Sequence, residues 1–230
     1  MVAISWDEAY RIILSRYPVV GIFDDVVEAD DLEAIFELEA RTNERIRDEL
    51  GAIALVRPAD RVVGPGTTPV MAAFTHTHPS RFTDGTFGAY YAARERDSAI
   101  SETVYHVARL YRQTKEASAD IDMRAYVARI AGSFDDFRAT PLTDPRLDPD
   151  SYAASQPYAR GLSDTNSVDG IAYPSVRDPR HRDCVACFRP RLIAACRTHS
   201  YLTYRWDGLQ QRITAVTERE FLSGFGPVPD

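Results

Sequence analysis

Between Ile100 and Tyr111 the apolar residues fall at Ile100, Val104, Val107, Ala108 and Tyr111, the spacing of one helix face, so "RDSAISETVYHVARLYRQTK" (96–115) predicts an amphipathic helix. Near the N-terminus, Ser5 and Glu8 in "SWDE" have capping-box spacing. Trp6, Tyr10, Ile13 and Leu14 form an apolar face behind them, which predicts a helix ending near Pro18. A longer helix is predicted over residues 28–51, with acids crowding its start, Leu32, Ile35, Phe36 and Leu38 as its apolar part and Gly51 at its stop. After Gly51 the runs shorten. "AIALV", "PVMAAFTH" and "AYYAA" are apolar and bounded by Pro/Gly turns, as strands are, and "MRAYVARIAGS", "GIAYPS" and "CVACFRP" read the same way. Residues 141–169 are rich in Pro, Asp and Ser and predict a long loop with a helix near "SYAASQPYARGL". Asp207-Gly208 between two alternating segments predicts a hairpin. The order of elements gives an α+β fold, a single domain over residues 1–230 with a helical N-terminal lobe (1–51) and a core (52–230).

Composition narrows the class. With 44% hydrophobic and 27% charged residues, a packed globular core is expected. A net charge of −7 argues against a nucleic-acid surface, which needs a basic footprint. Lys115 is the sole lysine, so arginine abundance reflects coding bias and each arginine must be justified by its neighbours. "MVAISWDEAY" has no basic n-region and no long apolar core, and no run reaches membrane-spanning length. Three cysteines, an odd number, suit a reducing compartment. A cytoplasmic protein with no membrane partner is expected.

The stretch "FTHTHPSRFTDGTFGAYYAA" (74–93) concentrates the candidate chemistry. If "AFTHTH" is a strand, His76 and His78 share one face and would chelate an ion, with Glu102 and His106 completing the set. Hydrogen-bonding or core histidines are the plainer alternative, and no metal is expected. His181, Cys184, Cys187, Cys196 and His199 suggest a zinc cluster, yet positions i and i+3 of a strand face opposite sides, so buried inert cysteines are favoured. There is no GxSxG elbow, Walker loop, GxGxxG or paired-carboxylate glycosidase motif. Arg81, just before a Gly-containing turn, suits a phosphate or pyrophosphate, and equally a solvated position. Tyr90 and Tyr91 face opposite sides of a strand, so one packs in the core and the other is available to stack on a ring. Glu102 lies opposite the apolar stripe of its helix, which by itself is only a polar face. Ser175 after Pro174 is by itself only a turn residue.

In combination these pieces resemble a known family. "SRFTDGTFGAYYAARERDSAISETVYH", followed downstream by "GIAYPSVR" and "CVACFRP", is similar to the RES domain, named for a recurrent arginine, glutamate and serine. Arg81-Phe82 matches the arginine–aromatic pair and Tyr91-Ala92-Ala93 the strand end. Ala99-Ile100-Ser101-Glu102 matches the helix motif, and Pro174-Ser175 the serine motif. Ser80 stands where glycine is usual, and Thr83-Asp84 where Asn-Pro is more typical. The resemblance implies an ADP-ribosyltransferase-like mixed β core with flanking helices, and a bacterial toxin that consumes NAD⁺ as substrate, with no resident cofactor. ADP-ribose would pass to water, phosphate or a protein acceptor, and the partner would be an Xre-like helix-turn-helix antitoxin. Arg81, Tyr91, Glu102 and Ser175 would be the catalytic residues, with His76 and Phe82 binding substrate. The competing readings are a metal-dependent enzyme on His76/His78 and a non-catalytic binding module.

Overall fold

The computed structural model describes residues 1–15, 21–25 and 50–219. Its frame is a seven-stranded mixed sheet: β1 (Val2–Leu14), β2 (Tyr90–Ala93), β3 (Ser118–Asp136), β4 (Gly170–Pro174), β5 (Asp183–Cys187), β6 (Ile193–Asp207) and β7 (Arg212–Glu218), in the order β1-β2-β5-β4-β3-β6-β7. β3 and β4 run parallel, and the other pairs are antiparallel. Helices α1 (Thr68–Thr75), α2 (Arg96–Tyr111) and α3 (Ser155–Thr165) flank the sheet. The α+β expectation holds.

β1 also pairs with β3, from Val2↔Phe134 to Leu14↔Met123, so β1, β2, β5, β4 and β3 close a circuit and β6–β7 extend from it. The seam of that circuit is thin. β1 and β2 share the register pair Tyr10↔Ala93, and beyond it Arg11–Leu14 follow β3 while Tyr90–Ala92 follow β5. A split therefore opens between β1 and β2. Two apolar clusters fill the faces. α1 packs with Trp6, Tyr90, Tyr126 and Phe134; α2 and α3 pack with Phe82, Tyr173, Tyr204 and Trp206.

Three sequence expectations are corrected. The "SWDE" segment is strand, not the start of a helix. A register shift between Trp6 and Ala9 inserts one extra residue, so the buried positions Ile4, Trp6, Ala9 and Ile12 depart from strict strand alternation, and the apolar Trp6, Tyr10, Ile13 and Leu14 imitate a helical period. The helical lobe is thereby removed for residues 1–15, and the helix predicted over 28–51 falls mainly outside the described residues. "PVMAAFTH", expected as strand, is α1. Pro69 sits in its first turn, and the Asp24 carboxylate accepts from the Gly66 and Thr68 N–H groups at its start. "AIALV" forms a 3₁₀ turn (Ile53–Leu55) instead of a strand. The remaining predicted strands, α2, α3 and the β6–β7 hairpin stand where the pattern put them.

Candidate active site

A cavity of about 740 Å³ occupies the split between β1 and β2, within the range of small-molecule sites. Ile12 and Leu14 on β1, Ala72 on α1 and Val107 on α2 give it a mainly apolar wall, and Arg11, Tyr91 and His106 are among its polar lining.

Arg11 bridges the seam. Its Nη1 donates to the Tyr91 carbonyl at 3.2 Å, and its guanidinium lies 4.7 Å from the Tyr90 ring centroid. Nε is buried with no partner, and among the described residues no carboxylate forms an ion pair with this guanidinium. Burial lowers its pKa from the ordinary arginine value, against the opposing influence of Tyr90, Cys196, Tyr91 and Tyr126. Sequence reasoning missed this residue because it assigned the segment to a helix. The available signal was a lone charge inside the apolar run Tyr10–Leu14.

Arg81 is 7% exposed. Its Nη1 donates to the Asp148 carbonyl at 2.7 Å and its guanidinium faces the Tyr152 ring at 5.3 Å, and again no carboxylate neutralises it among the described residues. A buried cation without a counter-charge is costly, and a bound anion would relieve that cost. Tyr91 stands between the two arginines. Its carbonyl holds Arg11, while its hydroxyl accepts from the Phe82 N–H and shares a hydrogen bond with Ser80 Oγ, each at 2.8 Å. Burial pushes its pKa up to about 12, ahead of the lowering effect of those hydrogen bonds and of Arg81. The phenol is neutral near pH 7, and its ring is what lines the cavity.

Glu102 and Ser175 meet: Ser175 Oγ donates to Glu102 Oε1 at 2.5 Å. Ser175 Oγ also accepts from the backbone N–H of Arg177 (3.2 Å) and Asp178 (2.9 Å), which leaves its proton for Glu102. Its hydroxyl therefore orients the carboxylate, rather than being free for a substrate hydroxyl or carboxamide. Asp178, 2% exposed, fixes this loop by accepting from Ser98 Oγ and Arg182 Nε, both at 2.6 Å. Ser98 lies one helical turn before Glu102, so the clamp sets the approach of the serine loop to α2. Burial would raise the Asp178 carboxyl, but hydrogen bonds from Arg182, Ser98 and the Arg180 N–H hold it well below the ordinary range. Asp178 was also missed; its signal was an acid three residues after Ser175 in a turn.

Arg81 and Glu102 act on the same neighbours. Both charges bear on Tyr173, Cys184 and His106, with opposite sign on each. Neither lines the cavity itself, and Tyr91 and His106 link the cluster to it. Phe82 is fully buried, edge-on to Tyr173 and Phe137, which makes its ring core and not cleft wall. His76 and His78 line the cavity from the loop after α1, so the shared strand face that would have paired them does not exist. Among the described residues no group of three His, Cys, Asp or Glu is placed to hold a metal. Cys184 and Cys187 pack in opposite clusters, and all three cysteines are free and buried. Burial raises every thiol, Cys187 to about 12 and Cys196 to about 11.

Residues 58–207 match the RES domain, and the chain belongs to that family. It is also 28% identical over 212 residues, covering 88% of this chain and 84% of the relative, to the uncharacterized protein y4oC of Sinorhizobium fredii (strain NBRC 101917 / NGR234). β1 and its Arg11 lie outside the family-matched segment. Among the described residues, no helix is long and apolar enough to cross a membrane.

Proposed function

We propose that the chain is an NAD⁺-consuming toxin that breaks the nicotinamide–ribose bond and passes ADP-ribose to an acceptor. One observation carries the reading: two buried or partly buried guanidiniums, without carboxylate partners among the described residues, flank Tyr91, beside a carboxylate fixed by Ser175. Arg11 and Arg81 supply two cations for the two phosphates of a dinucleotide. The Tyr91 ring packs against the nicotinamide riboside and excludes water. Nicotinamide leaves a cationic pyridinium as a neutral molecule, so no general acid is required and one carboxylate suffices where a glycosidase needs two. Glu102, oriented by the Ser175 hydroxyl, stabilises the oxocarbenium-like charge at the ribose. The split between β1 and β2 is the cleft in which an ADP-ribosyltransferase-like chain would hold NAD⁺. The partner belonging to this reading is an Xre-like antitoxin that closes the cleft in the cytoplasm.

The test is incubation of purified protein with NAD⁺, alone, with phosphate and with cell extract, beside Glu102→Gln. Nicotinamide release that depends on Glu102 supports the reading, and the fate of ADP-ribose names the acceptor. A folded wild type that leaves NAD⁺ intact under all three conditions rejects it.

A further inference from the structure

His106 follows Glu102 by one helical turn and lines the cavity, whereas Glu102 does not. Its Nε2 faces Glu102 Oε2 at 4.0 Å, while Oε1 is taken by Ser175. Nδ1 has no hydrogen-bond partner among the described residues, and 52% of the side chain is exposed. A carboxylate facing Nε2 favours the tautomer protonated there, which leaves the Nδ1 lone pair free. We propose that His106 is the general base that deprotonates the acceptor hydroxyl as ADP-ribose is transferred. This rests on the NAD⁺-cleaving reading above and assigns its second half.

The step balances. The C1″–N bond breaks with its electron pair going to nicotinamide, which departs neutral. The acceptor oxygen bonds to C1″, its proton passes to Nδ1, and the resulting imidazolium faces the Glu102 carboxylate until solvent takes the proton. Before the step the imidazole must be neutral, and its surroundings favour that. Desolvation in the cleft lowers its pKa. Glu102 on the same helix opposes this, while Arg177 from the segment after β4, Arg81 from the loop before β2, and Arg109 on α2 reinforce it. The Tyr105 ring, edge-on at 5.3 Å, is the remaining aromatic neighbour on α2.

The experiment compares wild type with His106→Gln for NAD⁺ cleavage in water and with azide, an anionic nucleophile that has no proton to lose. The expected result is a fall in kcat for hydrolysis of about 10²-fold or more, the usual span of general-base catalysis, with little change in KM. Azide should restore nicotinamide release in the variant and yield the ribosyl azide. The wild-type rate should fall as pH drops through a value below the ordinary 6.5 of histidine, and the variant should lack that limb. An active wild type with an equally active variant, or a slow variant that azide does not rescue, overturns the role of His106 while leaving NAD⁺ cleavage intact. A wild type inactive with water, phosphate, azide and cell extract alike overturns both.

Discussion

Asp178→Asn removes one charge from a buried loop and preserves its shape. The carboxylate accepts from Ser98, Arg182 and the Arg180 N–H, and the same residue donates its own N–H to Ser175. Hydrogen bonds to a charged group contribute about 1.5–3 kcal/mol each, and breaking one side of a buried pair costs about 3–5 kcal/mol. Arg182 keeps 24% of its side chain in solvent and has Asp97 at 3.7 Å, so the charge it loses is partly replaced. A net loss of about 2–4 kcal/mol follows, or a fall in Tm of roughly 4–16 °C for a domain of this size. The pH dependence supplies a second check. The folded carboxyl sits below its ordinary 3.8, so its contribution is complete above that value and is lost as pH falls through the folded pKa. Thermal melts of wild type and variant should differ by a constant amount near neutral pH and converge in strong acid. A Tm unchanged at pH 7, or a difference that persists undiminished in acid, would refute the clamp.

Other substitutions separate the remaining roles. Arg11→Met and Arg81→Met should each weaken NAD⁺ binding, measured by calorimetry, by about tenfold to a hundredfold, the worth of a charge-assisted contact, with the fold retained. Tyr91→Phe keeps the ring and loses the link to Ser80 and Phe82, so it should retain more activity than Tyr91→Ala in the nicotinamide assay. The buried, protonated thiols should resist alkylation in the native protein and become reactive on unfolding, as mass spectrometry would count. Gly88→Ala should destabilise by closing the cavity rim on α1, because a Cβ there would lie 2.3 Å from Phe74 Cα; chemical denaturation reads the change.

What the sequence reveals about this site follows how locally each part is determined. Glu102 sits on a helix whose stripe is complete within sixteen residues, and Ser175 follows a fully buried strand, so both positions were legible, whereas the contact between them was not. Arg11 was not, because a bulge gave β1 a counterfeit helical spacing. α1 was misread because part of its start is capped by Asp24, more than forty residues earlier in the chain, which no local pattern announces. Phe82 matched the motif as an aromatic, but only the packed structure shows that its ring faces Phe137 and Tyr173. The closed strand circuit, which makes the cleft, depends on pairings between segments far apart in the chain and was invisible for the same reason.

That circuit also sets when the site can exist. β1 leaves the ribosome ahead of the other six strands, yet its partner for Val2 is Phe134, and the serine that orients Glu102 comes later still. Pairings so distant in sequence form late and slowly. A growing chain carries Arg11 for most of its synthesis with no cleft to place it in, and Glu102 for a shorter time with no Ser175. The cleft is thus incomplete, and its side chains unassembled, until the strand that closes the ring has emerged and docked.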